Sequence, residues 1–306
     1  MTVTIIGPQA EAHLSWDGIT AAIAAGHALP RADIKDMLLH RGNDTLLNRA
    51  AWINGLGLLV KCGTVVPGNA RLGLPTINGA VTLYDVATGQ LTALVDFHLV
   101  TRWKTAGDSL LAARHLARPD SRNILIVGGG TVARSMIDAY ASAFAGARFT
   151  VWTRSRSGAD ALAALVPGVA VADDLQAAVG QADIICTATM ATEPLVKGDW
   201  LRPGQHLDLI GAYHPGMREV DDAAMAMARV FVDARATTIH HIGELIDPIR
   251  SGAITEADII ADFYDLASGR FARETSDEIT IAKNGGGAHL DLMTADYIAR
   301  MWTQRR

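Results

Sequence analysis

The sequence predicts an α/β protein built on a doubly wound parallel sheet, and three observations support this fold class. Residues 124–127 are four apolar residues that lead directly into glycines, as in a buried strand that ends in a tight turn. Residues 136–144, just beyond, are compatible with a helix. From there to residue 232, short apolar runs alternate with helical segments, which is the chain order of parallel strands and their crossover helices.

The glycines after this first strand have the spacing G-x-G-x-x-A, formed by Gly128, Gly130 and Ala133. Glycine lacks a Cβ, so its backbone can approach a pyrophosphate, whose negative charge the first free N–H groups of the next helix would face. We therefore expect a diphosphate over residues 128–131, which include Gly129. A plain strand-end turn can show the same spacing, so the motif needs a second signal.

That signal follows the next strand, which is predicted at residues 148–152. The strand ends at Thr153, Arg154 and Ser155, about twenty residues past the last glycine, where the adenosine ribose of a bound dinucleotide would lie. A carboxylate there would hold the free 2′-hydroxyl of NAD, whereas hydroxyls and a guanidinium suit a 2′-phosphate. The pattern favours NADPH as the cofactor. NADH is the alternative if Arg154 is only a solvated strand-end residue.

The composition limits the class of partner. The chain has 306 residues, 49% of them apolar, which is enough for two domains with substantial cores. Its formal charge is −5 and its lysines and arginines are scattered, so we expect neither a nucleic-acid partner nor a membrane surface. Cys62 and Cys186 lie far apart in apolar runs, which is typical of reduced thiols, and residues 1–7 carry no targeting signal. We expect a cytoplasmic protein that binds small molecules.

The first hundred residues are expected to be rich in strands. Ser15 or Asp17 can cap a helix that runs through residues 19–29. The next segment carries scattered charges, and residues 55–60 predict a strand whose last residue is Lys61. Further elements are predicted as a hairpin of residues 80–84 and 91–97 and a helix at residues 101–116.

Two tripeptides fall where strands beyond the glycine turn are expected to end. The first contains Thr187 and Thr189, and the second contains Ile210 and Gly211. Ligands of open parallel sheets bind outside these ends, near the reversal of strand order, so both tripeptides are expected to line the nicotinamide half of the cleft, with ordinary turn chemistry as the alternative. The remaining elements are predicted as strands at 169–172, 183–187, 206–210, 230–232 and 279–282 and helices at 160–165, 174–179, 258–268 with Gly269 as its cap, and 291–302.

A series of short segments resembles the ornithine cyclodeaminase and mu-crystallin family along nearly the whole chain. The segments are Pro30-Arg31, Lys61 before a Pro-Gly-Asn loop, Leu74-Pro75, 85–89, 101–106, the glycine turn, 187–194, Pro203-Gly204, 210–222 and 278–291. The resemblance implies a Rossmann-like domain, residues 118–288, inserted in a split α+β substrate-binding and dimerisation domain, residues 1–117 plus 289–306. It also implies a homodimer and hydride transfer between a nicotinamide and an amino or imino carbon of a small amino acid.

The resemblance also implies roles for single residues. Arg31 and Lys61 are expected to hold the substrate carboxylate, which agrees with their charge, although surface solvation would be favoured from the residues alone. Asn284 lies in a turn near the family's active site, where it can hydrogen-bond to nicotinamide or substrate or serve only the turn. Further positions that match cofactor contacts of the family are Thr76, Thr131, Val132, Thr153, Arg154, Ser155, Thr189, Met190 and Ile210.

Three positions bear on which activity of the family to expect. Lys104 replaces the arginine of the family's Arg-Thr-Ala-Ala segment, so a forked guanidinium becomes a point charge at a site for phosphate or substrate. Tyr213 stands where cyclodeaminating members carry an aspartate, and it is not a carboxylate base, so cyclodeamination is disfavoured. His241 lies where some members place a glutamate near the substrate. It suits a proton donor, and a hydrogen-bonded helix histidine is the alternative.

The expected reaction is NADPH- or NADH-dependent reduction of a cyclic imino acid, either Δ1-pyrroline-2-carboxylate to L-proline or Δ1-piperideine-2-carboxylate to L-pipecolate. The protonated imine is itself the electrophile, so the enzyme only has to keep or supply that proton, from Lys61, Tyr213 or a water. The alternatives are an ornithine cyclodeaminase, an alanine-type amino-acid dehydrogenase, and a mu-crystallin-like protein that binds NADP without turnover. No His and carboxylate cluster has metal-ligand spacing, so no metal is expected.

Overall fold

The structure is a computed structural model that describes residues 3–304. The chain divides into two compact units. Unit 1 comprises Met1–Lys104 and Gly287–Arg306, and unit 2 comprises Thr105–Gly286. The boundary between Lys104 and Thr105 lies inside the helix Phe97–Leu116. It comes before residue 117, where the family resemblance implied the boundary. The last helix belongs to the same unit as the first hundred residues.

Unit 1 is organised around a six-stranded sheet. The sheet has the order β1-β6-β5-β4-β3-β2, in which β1 pairs in parallel with β6 and all other neighbours are antiparallel. The predicted hairpin is confirmed as β5 and β6, with Gly89 at φ +67° in its turn. The strands are β1 (Thr4–Ile6), β2 (Asp33–Arg41), β3 (Asp44–Ile53), β4 (Gly57–Val65), β5 (Ile77–Tyr84) and β6 (Leu91–Asp96).

Strands β2 and β3 of this sheet were not predicted from the sequence, and β4 is longer than predicted. The sequence does not predict β2 and β3, because β2 is largely exposed and its residues do not alternate between apolar and polar. The expectation that Lys61 ends its strand is wrong. β4 continues to Val65 because β3 and β5 hydrogen-bond to it on both sides, with Lys61 opposite Arg49 and Val81.

The first two helices confirm the predicted positions. Helix α1 (Trp16–His27) begins after Ser15, whose hydroxyl oxygen accepts a hydrogen bond of 3.1 Å from the Gly18 N–H. Ser15 is thus the N-cap, one of the two that the sequence predicted. Helix α2 (Phe97–Leu116) follows β6 directly.

Unit 2 contains an eight-stranded sheet that is parallel throughout and confirms the predicted fold class. Its order is β13-β12-β14-β11-β10-β7-β8-β9, so the strand order reverses between β7 and β10. Ligands of such sheets bind at this reversal, outside the carboxyl ends of the strands. The strands are β7 (Asn123–Val127), β8 (Arg148–Trp152), β9 (Ala170–Val171), β10 (Ile184–Thr187), β11 (His206–Leu209), β12 (Arg229–Val232), β13 (Ile259–Ala261) and β14 (Thr280–Lys283).

Helices cover the sheet and enclose a core of apolar side chains such as Val127, Ile185 and Leu207. The helices of unit 2 are α3 (Thr131–Ala143), α4 (Arg156–Leu165), α5 (Leu175–Gln181), α6 (Asp222–Met227), α7 (Arg235–Thr238) and α8 (Gly243–Ser251). Cys186 is buried within this unit and Cys62 is half-buried within unit 1, both as free thiols.

One predicted helix is wrong. The segment 258–268 forms strand β13 and then a 3-10 turn at Phe263–Ser268, because Asp262 interrupts it: its carboxylate accepts a hydrogen bond from the Tyr264 N–H at 3.0 Å and starts a new turn. Gly269 ends that turn at φ +76°, as predicted for a cap.

The last helix, α9 (Ala288–Gln304), returns to unit 1 and packs on α1. Two glycines of α1 allow the contact. A Cβ on Gly26 would lie 2.4 Å from Cγ of Met293, and one on Gly18 would lie 2.1 Å from the hydroxyl of Tyr297. Among the helices of residues 3–304, none is both long and apolar enough to cross a bilayer.

Candidate functional site

The first position of the glycine turn after β7 can be occupied only by glycine, for steric reasons. Gly128 has φ +133°, and a Cβ there would lie 2.4 Å from the carbonyl oxygen of Ala188. Ala188 follows β10, the strand on the other side of the reversal in strand order. The turns after β7 and β10 can approach this closely only because the side chain is absent.

The start of helix α3 is open to an anion. Gly129, Gly130 and Thr131 are exposed, and Val132 is half-buried. No side chain caps the first backbone N–H groups of this helix, and a Cβ on Gly130 would meet nothing within 4 Å. Exposed N–H groups at the positive end of a helix dipole bind phosphate, so these residues fit the diphosphate of a dinucleotide.

The segment after β8 lies against the same turn. A Cβ on Gly129 would come within 2.9 Å of the Thr153 methyl group, and the Thr153 hydroxyl donates to the carbonyl oxygen of Ser155 at 2.5 Å. Arg154 and Ser155 are exposed. Arg156 pairs with carboxylates of its own unit, but the guanidinium of Arg154 has no hydrogen-bond or ionic partner within residues 3–304. It is therefore available to an anionic ligand.

A buried carboxylate that the sequence analysis missed joins the two predicted tripeptides. Glu219 is fully buried. Its Oε1 accepts hydrogen bonds from the N–H and the hydroxyl of Thr189, at 2.9 and 2.7 Å. Its Oε2 accepts from the N–H groups of Gly211 and Ala212, at 2.8 and 3.2 Å. Glu219 lies in the segment 210–222 that carries the family resemblance, but no local pattern indicates these partners.

Two further buried titratable side chains, Glu244 and Lys283, contact the backbone of the same region. The carboxylate of Glu244 accepts hydrogen bonds from the backbone N–H of Glu219 at 2.8 Å and of Val220 at 3.0 Å. The ammonium of Lys283 donates to the carbonyl oxygens of Leu209 and Ala212, each at 2.7 Å. Burial raises the pKa of Glu244 to about 7, with a further contribution from the charge of Glu219. The turns after β10 and β11 are thus fixed by fully buried polar groups.

The other residues predicted at this end of the sheet differ in exposure. Thr187 is fully buried, Ile210 is half-buried and Met190 is 69% exposed. Asn284 is buried, and its amide nitrogen donates to Asp208 Oδ1 at 2.6 Å. That nitrogen also donates to Ser109, so only its Oδ1 is left for another partner.

Tyr213 and His241 are exposed loop residues of unit 2. The ring of Tyr213 packs edge-on against His214 with centroids 5.1 Å apart. His241 lies in the turn between α7 and α8, so the alternative of a helix histidine is wrong. His240, beside it, is 3.6 Å from the carboxylate of Glu256. The catalytic roles of Tyr213 and His241 stay predictions.

In unit 1, Lys61 is a buried charge. It is 6% exposed, so the alternative of surface solvation is wrong for this residue. Its Nζ donates to Thr101 Oγ1 and to Asp291 Oδ1, both at 2.8 Å, and lies 4.6 Å from the centroid of the Phe97 ring. Burial lowers the pKa of Lys61 below its ordinary value, and the charge of Asp291 opposes that effect.

Three neighbouring cations affect the pKa of Asp291. Burial raises the pKa of this carboxyl, but the charges of Lys61, Lys104 and Arg49 outweigh it, so the pKa is lowered overall. Lys104 is half-buried on α2, and Arg49 lies opposite Lys61 in the sheet. Arg49 was not identified from the sequence because strand β3 was not. Arg49 also pairs with Asp36 at 2.7 Å, so three cations are set against two carboxylates, and the remaining positive charge suits a carboxylate ligand.

Two other predicted residues of unit 1 lie just before strands. Arg31 is exposed and lies two residues before the start of β2. Thr76 is half-buried in the loop before β5, where its carbonyl oxygen accepts a hydrogen bond from the Val66 N–H at 2.7 Å. Their contacts with ligands stay predictions.

Comparison with known proteins finds a family model and relatives that match most of the chain. Residues 54–306 match the model of the ornithine cyclodeaminase/mu-crystallin family. A Δ1-pyrroline-2-carboxylate reductase of Paracoccus denitrificans is 52% identical over 299 residues, which cover 96% of this chain and 95% of the relative.

Two solved structures have the same fold along nearly the whole chain. The Δ1-pyrroline-2-carboxylate reductase of Thermococcus litoralis, in complex with NADH and L-proline, superposes with a TM-score of 0.90 at 25% identity, covering 99% of this chain and 98% of that one. An archaeal alanine dehydrogenase dimer with bound NAD also gives a TM-score of 0.90 at 25% identity, covering 100% and 97%.

Proposed function

The chain belongs to the ornithine cyclodeaminase/mu-crystallin family, and from this premise we propose that it reduces a cyclic imino acid with a reduced nicotinamide coenzyme. The substrate is Δ1-pyrroline-2-carboxylate, giving L-proline, or its six-membered homologue Δ1-piperideine-2-carboxylate, giving L-pipecolate. The observation that carries the proposal is the 52% identity, over 96% of the chain, to a Δ1-pyrroline-2-carboxylate reductase.

The glycine turn and its neighbours are the residues that hold the coenzyme. The backbone of residues 128–131 receives the diphosphate at the start of α3, and the segment of Thr153 to Ser155 receives the adenosine ribose. We propose NADPH as the preferred form because the exposed guanidinium of Arg154 suits a 2′-phosphate. A bound reduced nicotinamide supplies the hydride.

Lys61 performs two tasks in this proposal. Its ammonium, together with Arg31 and Lys104, holds the substrate carboxylate. Its lowered pKa makes the ammonium a stronger acid than an exposed lysine, so it can also keep the imine nitrogen protonated. The charge of Asp291 opposes the effect of burial and favours the charged ammonium. Tyr213, His241 and a water are the other candidates for the proton donor.

A homodimer is the proposed assembly. Three consecutive apolar residues of β2, Met37, Leu38 and Leu39, are about half exposed, as is Trp52 of the neighbouring β3. Side chains alternate between the two faces along a strand, so Met37 and Leu39 share one face and Leu38 lies on the other. Large apolar side chains that are this exposed are of the kind that protein interfaces cover. The archaeal alanine dehydrogenase of the same fold is a dimer, which supports this assembly.

An L-amino-acid dehydrogenase is the second candidate, because the same archaeal structure is an alanine dehydrogenase. The decisive assay offers purified protein both cyclic imines with NADH and with NADPH, and in parallel L-alanine or L-ornithine with the oxidised coenzymes. We expect rapid loss of reduced coenzyme with at least one imine and little ammonia release from ornithine.

A pair of variants links this activity to the proposed site. K61M removes the buried ammonium, and K197M removes an exposed one in unit 2. We expect K61M to lose imine reduction and still bind coenzyme, whereas K197M behaves as wild type. Coenzyme binding without turnover of any imine or amino acid would instead support a mu-crystallin-like binding protein.

A further inference from the structure

We propose that Glu219 is a positioning residue for the nicotinamide end of the coenzyme, because its carboxylate holds together the turns that follow β10 and β11. This inference rests on the proposed function, which gives those two turns their ligand. The residue acts through Thr189 and Gly211 and need not touch the coenzyme itself.

The two turns meet at very short range. The N–H groups of Ile210 and Gly211 donate to the carbonyl oxygen of Thr187, at 3.0 and 3.1 Å, so the pairing of the strands continues past their ends. A Cβ on Gly211 would lie 2.3 Å from the backbone nitrogen of Thr189 and 2.4 Å from Oε1 of Glu219. The glycine is therefore required for the carboxylate to reach both turns at once.

An ionised carboxylate satisfies every donor in this arrangement. Three backbone N–H groups and one hydroxyl point at the two oxygens of Glu219, and an ionised carboxylate offers about four lone-pair sites and no donor. A glutamine at this position would place an NH₂ group against donors of one turn. Each buried donor left without an acceptor costs about 1–3 kcal/mol, so the turns would separate or rearrange.

Glu219 is itself held in place. Its N–H donates to the Glu244 carboxylate at 2.8 Å, and its carbonyl oxygen accepts a hydrogen bond from the Leu195 N–H at 2.9 Å. Lys283 fixes the second turn from the other side, through the carbonyl oxygen of Ala212. Because its own backbone is anchored, the carboxylate determines where the two turns lie, and they are the part of unit 2 expected beside the nicotinamide ring.

Hydride transfer is sensitive to this placement, since a misplacement of about 1 Å can cost on the order of 100-fold in rate. The test compares wild type with E219Q. We expect kcat for the cyclic imine to fall by about 10- to 100-fold and the Kd for reduced coenzyme to rise about tenfold or more. The Kd for ADP-ribose, which lacks the nicotinamide, should stay within about twofold, because the glycine turn and Thr153 are untouched.

The matched control is E193Q, which neutralises an exposed glutamate on the same connection between β10 and β11. It should behave as wild type in all three measurements. If E219Q does not fold, E219D gives the comparison, because it keeps the charge and retracts the oxygens from the turns.

The outcomes separate the possibilities. Unchanged kcat and coenzyme affinity in E219Q would overturn the proposal. ADP-ribose binding that weakens as much as coenzyme binding would also overturn it, since the role would then be structural, and so would failure of both variants to fold. Wild-type protein that binds no reduced coenzyme would defeat the proposed function as well, and the wild-type measurement alone reveals that case.

Discussion

Nζ of Lys61 lies 2.8 Å from Oδ1 of Asp291, although 230 positions separate the two residues in the chain. Both side chains are buried, and the first belongs to strand β4 whereas the second belongs to the last helix, α9. The two segments of unit 1 are therefore tied together by a buried ion pair that also sets the charge state of the proposed substrate-binding lysine.

Removing the carboxylate of this pair is expected to destabilise the protein. In D291N the ammonium of Lys61 stays buried without a compensating charge, which costs about 3–5 kcal/mol of unfolding free energy. The control is D296N on the same helix, which breaks a half-exposed pair with Arg300 and should cost no more than about 1 kcal/mol. Urea unfolding of the three proteins measures the difference.

The same variant tests the charge of Lys61. Burial lowers the pKa of Lys61 and Asp291 opposes this effect, so without Asp291 the pKa should fall further. Because the proposed substrate site needs the charged lysine, the alkaline decline of kcat/KM should begin at lower pH in D291N than in wild type. A D291N protein with wild-type stability and an unchanged pH profile would contradict both expectations.

Two glycines of the dinucleotide turn should respond differently to alanine. G128A introduces a side chain at φ +133° and 2.4 Å from a carbonyl oxygen, so we expect a loss of at least about 2 kcal/mol of stability. G130A meets no protein atom within 4 Å and should unfold within about 0.5 kcal/mol of wild type. Its new Cβ would face the proposed diphosphate position, so the KM for coenzyme should rise about tenfold or more. Equal thermal stability of the two variants would show that the close approach of Gly128 to Ala188 is not needed.

Arg154 is expected to control the choice of coenzyme. In R154A the KM for NADPH should rise by about 10- to 100-fold, the loss of one charge-assisted contact with phosphate, while the KM for NADH should change little. R134A, which removes another exposed arginine of unit 2, is the control. Steady-state kinetics with both coenzymes decide the matter, and an equal effect of R154A on the two would remove the argument for NADPH.

His206 should make the protein sensitive to acid. The ring is fully buried, and burial, together with the charge of Arg273, lowers its pKa to about 3 from the ordinary 6.5. Between these values the unfolded chain binds a proton that the folded chain does not, so stability is complete above about pH 6.5 and falls as the pH drops. This single group contributes a slope of up to about 1.4 kcal/mol per pH unit.

Comparison with H206N isolates that slope, because asparagine keeps a polar group near the Thr280 hydroxyl, which the ring contacts at 2.9 Å. Urea unfolding at several pH values between 4.5 and 7.5 should show a shallower acid decline in the variant. Parallel curves for the two proteins would mean that the buried imidazole does not remain neutral.

By itself the sequence determined the features whose cause is local. The glycine spacing at 128–130 predicted a tight strand-to-helix turn, Ser15 or Asp17 predicted the cap of α1, and alternating apolar runs predicted the parallel sheet of unit 2. Each depends on residues within a few positions of one another, so the pattern is visible in one stretch of chain.

Tertiary structure alone decided where charges are buried and what they bind. Strands β2 and β3 exist because neighbouring strands pair with them, and only that pairing sets Arg49 opposite Lys61. The partners of Glu219 and of Lys61 come from other strands and helices, and the free energy of burying a charge depends on those partners rather than on its neighbours in sequence. The sequence therefore identifies a side chain as a lysine or a glutamate. The folded chain determines whether its charged group contacts water, a ligand or an opposite charge.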